Sequence, residues 1–95
     1  MARTAGTGEA GVGPVLARGA RSLAVLAAIH ELNAGVEVID RGAYLRVSVK
    51  DRCRLTRAAV ERHLGQRFCL PGDLEEVMVS FRGRLSISDE EALWT

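Results

Sequence analysis

Aromatic residues are scarce in this chain: one tryptophan, one tyrosine and two phenylalanines among 95 residues. An RNA-binding sheet of the base-stacking kind needs exposed aromatics in a fixed pattern. Tyr44, Phe68, Phe81 and Trp94 form no such pattern, and the two phenylalanines are expected in the core. Cysteine is scarcer still. Cys53 and Cys69 lack a CxxC spacing and have too few companions for a structural zinc site. Spacing alone leaves a disulfide open, and two reduced thiols are the simpler reading. Lys50 is the only lysine against twelve arginines, a bias read as genomic composition rather than recognition. Long apolar runs are missing as well. The opening "MARTAGTGEAG" has no signal-peptide h-region, and "LAVLAAI" is too short to span a bilayer and meets His30 and Glu31. The expectation is a cytoplasmic protein with no membrane partner.

What is present suits one globular domain. The hydrophobic fraction is 47%, too high for wholesale disorder, and 95 residues lie near the small end for a single core. Thirteen basic and twelve acidic residues leave a net charge of +1, which argues against a dedicated polyanion binder. The charges are uneven: eleven basic and six acidic side chains fall in residues 1–67, two and six in residues 68–95.

Residues 1–11 read as a glycine-rich flexible tail and residues 12–95 as the domain. "VGPVLAR" (12–18) predicts a strand, with Pro14 implying an edge or a strand start. "RSLAVLAAIHELNAG" predicts a helix capped by Ser22 and stopped by Gly35, with Leu23, Leu26, Ile29, Leu32 and Val25 on its buried face. Val36 and Val38, then Leu45, Val47 and Val49, alternate with polar residues on either side of "DRGA", a hairpin signature. In "LTRAAVERHLGQRF", Thr56 caps a second helix, Leu55 and Val60 have staple spacing, and Gly65 ends it. "LPGD" reads as a loop. "EVMVSF", "RGRL" and "LSISD" read as a second hairpin, followed by a short strand at "ALWT". The order strand, helix, two strands thus occurs twice, over about 12–50 and 52–95. That is an α+β fold of two βαββ repeats with helices packed on antiparallel sheets.

Catalytic chemistry has no constellation to rest on. His30 and His63 lie within helices, without a Ser, Cys or Asp at telling spacing, and read as surface side chains. Asp89, Glu90 and Glu91 read as a solvated acidic turn, and "GTGEAG" precedes the first strand instead of following one, which removes a phosphate loop. Six basic residues between Lys50 and Arg67 leave one alternative function, a small nucleic-acid-binding regulatory domain using that segment.

Several segments together resemble the effector (coupling) proteins of bacterial multicomponent diiron monooxygenases, the family of the toluene, phenol and methane monooxygenase regulatory components. They are "VGPVLARG", the helix ending in "ELN", "RGAYLRVSV", "LTRAAVERHLGQRF" and "VSFRGRL", in order across residues 12–85. The resemblance implies a protein without catalytic, cofactor-binding or metal residues, monomeric when free. It implies binding to a diiron hydroxylase, which the effector reshapes so that electron delivery and oxygen activation are coupled to substrate hydroxylation or epoxidation. A ferredoxin and an NADH reductase are then indirect partners, and nucleic acid is none. Residue by residue, it makes Asn33 either a polar contact to the hydroxylase or a local cap. Tyr44 and Arg46 match the family's "AY-x-R" strand, and Ser80 and Arg82 lie in its "S-F-x-G" turn. These five are the implied contacts, while Gly83 serves backbone geometry. Ala34 stands where the family has proline, and "GQRF" where it has "GR-P-F".

Overall fold

Alternation builds the strands, and glycine decides where the chain leaves them. The computed structural model describes residues 11–95, so the expected tail lies outside the described residues except for Gly11, which opens the first strand. The elements are β1 (Gly11–Ala17), α1 (Ala20–Leu32), β2 (Glu37–Asp40), β3 (Tyr44–Lys50), β4 (Cys53–Thr56), α2 (Arg57–Leu64), α3 (Gly72–Val77), β5 (Met78–Arg82), β6 (Leu85–Ile87) and β7 (Glu91–Trp94). They make two antiparallel sheets, β2–β3–β1–β5 and β4–β7–β6.

The duplication is visible in the pairing. In β1-α1-β2-β3 the first strand pairs with the last, and the last with the middle. The unit β4-α2-β6-β7 repeats that order. The second hairpin is therefore β6–β7, turning at Ser88–Glu90, and not the expected pair around Arg82-Gly83. There, Ser88 Oγ accepts from the backbone N–H groups of Glu90 and Glu91, both at 3.3 Å. α3 and β5 are an insertion in the second repeat. β5 leaves its own repeat and pairs with β1. α3 takes up part of what reads in sequence as a loop and a strand start; Leu74 and Val77 supply its buried side.

Gly83 is the crossing point between the sheets. Its φ is 97°, and a Cβ there would sit 2.7 Å from both the Thr95 carbonyl oxygen and Val12 Cγ1. Arg84 and Thr95 then exchange backbone hydrogen bonds at 2.8 and 2.9 Å, fixing the chain on its new sheet. Pro14 sits mid-strand in β1, which is central in its sheet, not at an edge as expected. The β1–β3 pairing jumps from Val12↔Val49 to Val15↔Arg46, so the residue without an N–H falls in a gap of that ladder.

The core gathers Leu16, Ile29, Leu55, Val60, Phe68, Leu74 and Trp94, all fully buried, between the sheets and the helices. Leu55, Val60, Leu64 and Phe68 face inward as the second helix pattern predicts, and Thr56 Oγ1 accepts from Ala59 N at 3.2 Å to cap that helix. Gly65 ends it with φ 79°. α1 buries Val25 and Ile29 and packs Leu26 and Leu32 against the core as expected, and departs at Leu23. Ser22, Ala24, Val25, Ala28 and Ile29 are buried, whereas Leu23 is 51% exposed. The smaller side chains let α1 approach α2 and β4 closely, so the leucine-rich stripe is only partly used. Gly19 precedes the helix and Asn33 ends it, so neither Ser22 nor Gly35 is the cap.

Candidate functional site

The face of the β2–β3–β1–β5 sheet turned away from the core is open. Residues meet on it in register: Ile39 pairs with Arg46, Arg46 with Val15, and Val15 with Ser80, one from each strand. A second row runs through Glu37 paired with Ser48, and Gly13 paired with Arg82. Because central β1 offers only Gly11, Gly13 and Val15 while its neighbours carry Tyr44, Arg46 and Arg82, the surface is concave. Its trough has a volume of about 520 Å³. A Cβ at Gly13 would lie 2.6 Å from the Val47 carbonyl oxygen, so the trough floor depends on glycine.

Tyr44, Arg46, Ser80 and Arg82 thus converge, although they come from strands that are far apart in the chain. The hairpin turn that presents Tyr44 is rigid. Arg18 pairs with the Asp40 carboxylate and donates from Nε to the Gly42 carbonyl at 2.7 Å. Asp40 accepts from Gly42 N at 2.8 Å. The Arg18 hydrogen bond, then that of Gly42, holds the Asp40 carboxyl below its usual range, and the same pairing raises Arg18. Ile39 adds exposed apolar surface and Glu37 lines the β2 side, while Val79 and Phe81, also exposed, alternate with Ser80 and Arg82 and so turn to the other face of β5. Sequence reasoning put Phe81 in the core and missed Ile39 and Val79. A signal existed in "MVSF", where apolar residues occupy both parities of one strand, as on a strand with something to cover on each side.

Asn33 lies elsewhere. Its Nδ2 donates to the Ile29 carbonyl at 2.9 Å and the Arg54 carbonyl at 2.8 Å, while Oδ1 accepts from Arg54 N at 2.9 Å. The side chain both caps α1 and fastens it to β4.

The basic 50–67 segment is not a bare cationic patch. Arg54 pairs with Glu91 at 3.2 Å, Arg57 with Glu90 at 3.5 Å, and Arg62 with Glu31. His63 Nε2 meets the other Glu31 oxygen at 2.8 Å, so both histidines are surface groups, His63 within a helix-to-helix tie. That hydrogen bond, with Arg62, depresses the Glu31 carboxyl. Glu90 and Glu91, read in sequence as solvated, are the ion partners of these arginines. Among the described residues, no three or more His, Cys, Asp or Glu side chains group as a metal site, and no helix is long and apolar enough to cross a membrane. Both cysteines are free, Cys53 buried and Cys69 exposed.

Three of the six basic residues between Lys50 and Arg67 are paired with carboxylates of a helix, a strand and a turn, and one concave sheet face is left uncovered, the features of a small protein-binding module. The chain belongs to the MmoB/DmpM family, whose model matches residues 10–95. It is 46% identical over 85 residues to the effector subunit of the alkene monooxygenase system of Xanthobacter autotrophicus (strain ATCC BAA-1158 / Py2), covering 87% of this chain and 83% of that protein. Its fold is similar to a chain in the structure of the phenol hydroxylase–regulatory protein complex, with a TM-score of 0.78 at 19% identity, covering 88% of this chain and 94% of that one.

Proposed function

We propose that this protein is the effector of a multicomponent diiron monooxygenase and acts by binding the hydroxylase component. The 46% identity to an alkene monooxygenase effector subunit, sustained over most of both chains, is the observation that carries this reading. In it the protein supplies no catalytic group or cofactor. It favours the hydroxylase conformation that it fits best, and it shifts that equilibrium only by its difference in affinity for the two states. Electron delivery, through a ferredoxin and an NADH reductase that it does not itself contact, is thereby coupled to oxygen insertion into the substrate. Its place is the cytoplasm, and it is a monomer when free.

Within this reading Tyr44, Arg46, Ser80 and Arg82 are the contact residues, and Asn33 holds α1 in place behind them. The nucleic-acid alternative is disfavoured because Arg54, Arg57 and Arg62 already have carboxylate partners. The deciding experiment is reconstitution: purified hydroxylase, reductant and this protein, with product formed per NADH consumed as the readout. The ratio rises several-fold on addition of the effector; an unchanged ratio together with an absence of binding overturns the proposal.

A further inference from the structure

Two connections carry the chain from the four-stranded sheet to the three-stranded one: the turn between β3 and β4, and the crossing between β5 and β6. They meet in a seam at one end of the fold. Arg84 exchanges backbone hydrogen bonds with Thr95, and Cys53 pairs with Trp94, so Arg52 and Arg84 flank Thr95. A strand spacing of about 4.8 Å sets their backbones about 10 Å apart. Lys50 opens the first connection and is exposed with them. That turn is tight: Arg52 N donates to the Lys50 carbonyl at 2.7 Å across Asp51. Asp51 has φ 68°, the one positive value on a non-glycine residue among the described residues. A three-residue turn of this kind is strained, and strain kept in an exposed, charged turn calls for a use of its shape.

Charge is uneven about this seam. Arg18, Arg21, Arg54, Arg57 and Arg62 each have a carboxylate within ion-pair distance. Lys50, Arg52 and Arg84 have none among the described residues, and Asp51 is the only acidic residue in the two connections. Glu75 and Glu76 lie away from it, because α3 leads into β5 beside Leu16, at the far end of β1. Asp89 and Glu90 sit in the β6–β7 turn, at the other end of those strands from Thr95. Cations about 10 Å apart fall within about one Debye length at ordinary salt, so their potentials add.

We propose that the seam steers the protein onto an acidic surface of the hydroxylase, raising the rate of association and setting the orientation of approach. This rests on the effector reading and adds Lys50, Arg52 and Arg84, which act on the rate at which the complex forms and not on its lifetime. Three unpaired cations beside one carboxylate suit a carboxylate-rich protein surface. They suit nucleic acid less, because the seam residues include no aromatic for a base to stack on and neighbouring Trp94 is fully buried.

The test is stopped-flow association of the full chain with purified hydroxylase. The wild type is compared with R52Q/R84Q and with R41Q/R67Q, which removes equal charge from the β2–β3 turn and from beside Arg57, both away from the seam. At about 50 mM salt R52Q/R84Q associates about fivefold more slowly, while its dissociation rate and both rates of the control stay within about twofold. At about 500 mM salt the three proteins converge. R52K/R84K keeps the fast rate, since a field needs the charge and not the guanidinium fork. No slowing, equal slowing in the control pair, a change carried by dissociation, or failure of the lysine pair to restore the rate each overturns the proposal. A second arm separates it from the effector reading. A short polyglutamate peptide is titrated into isotopically labelled protein at low salt. Amide shifts concentrated at Asp51, Cys53 and Gly83, and reduced in R52Q/R84Q, support the seam chemistry even if the hydroxylase does not bind. Shifts centred on α2, no shifts at all, or tighter binding of a single-stranded RNA oligonucleotide of equal charge at the seam overturns it.

Discussion

Asn33 and Arg54 hold each other by both ends of an amide: the Asn33 side chain accepts from Arg54 N and donates to Arg54 O, at 2.9 and 2.8 Å. The side chain imitates one rung of a β-ladder and ties the first helix to the first strand of the second repeat.

Removing that rung tests whether Asn33 acts in docking or in folding. Asn33→Ala leaves the Ile29 and Arg54 carbonyls without this donor and should cost about 1–3 kcal/mol by denaturant titration. Asn33→Asp should cost at least as much, because a carboxylate then faces two carbonyl oxygens. Below its melting transition, Asn33→Ala should bind hydroxylase within about twofold of the wild type. A tenfold loss of binding with unchanged stability would instead make Asn33 a contact.

Gly83→Ala should lower stability by about 2 kcal/mol or more, shifting the denaturant midpoint with little change in slope. Positive φ and backbone oxygen at 2.7 Å act together there. Gly65→Ala, where φ is positive but space is open, should cost less, about 1 kcal/mol.

The acid limb of stability should depend on Glu31. Its carboxyl is lowered from the ordinary 4.5, so its contribution is present above that value and fades as pH falls through the depressed folded-state value. Glu31→Gln should therefore be less stable than wild type near neutral pH and converge with it in acid. The group is solvent-accessible, so added salt should shrink the difference. Thermal melts across pH at two salt concentrations read both effects.

The two thiols should differ sharply in reactivity. Burial pushes Cys53 up to about 12, so hardly any thiolate forms near neutral pH, whereas Cys69 is exposed. Iodoacetamide on the native protein should label Cys69 alone by peptide mass spectrometry, and both after denaturation.

Local chemistry was legible in the sequence, and long-range pairing was not. Thr56, Gly65 and the 40–44 turn announce themselves because their signals act within a few residues. The β6–β7 hairpin was misassigned because "RGRL" and "SDEE" are both good turns, and only the partner strand decides which closes a hairpin. Pro14 misled because its missing N–H rules out one hydrogen bond, not a central position, once the ladder is interrupted there. On α1 only Leu23 departs from the expected buried face, because hydrophobicity favours leucine while close helix contact favours alanine and serine. All five implied contact residues came from family resemblance, and the convergence of four of them could not be read without the β1–β5 pairing, which joins Gly13 to Arg82 across most of the domain.

That pairing bears on how the protein is made and how it fails. Gly11–Ala17 leaves a ribosome well before its β5 partner, which follows only after α1, α2 and α3, so one edge of β1 stays uncovered while that intervening chain is being added. The loop closed is long, which slows the search for that contact, and an uncovered edge is a template for pairing with another chain. Neither repeat is then an independent folding unit, despite their shared topology. A fragment ending near Lys50 should aggregate through β1, and a late frameshift that removes β5 should yield insoluble protein instead of a weakened effector.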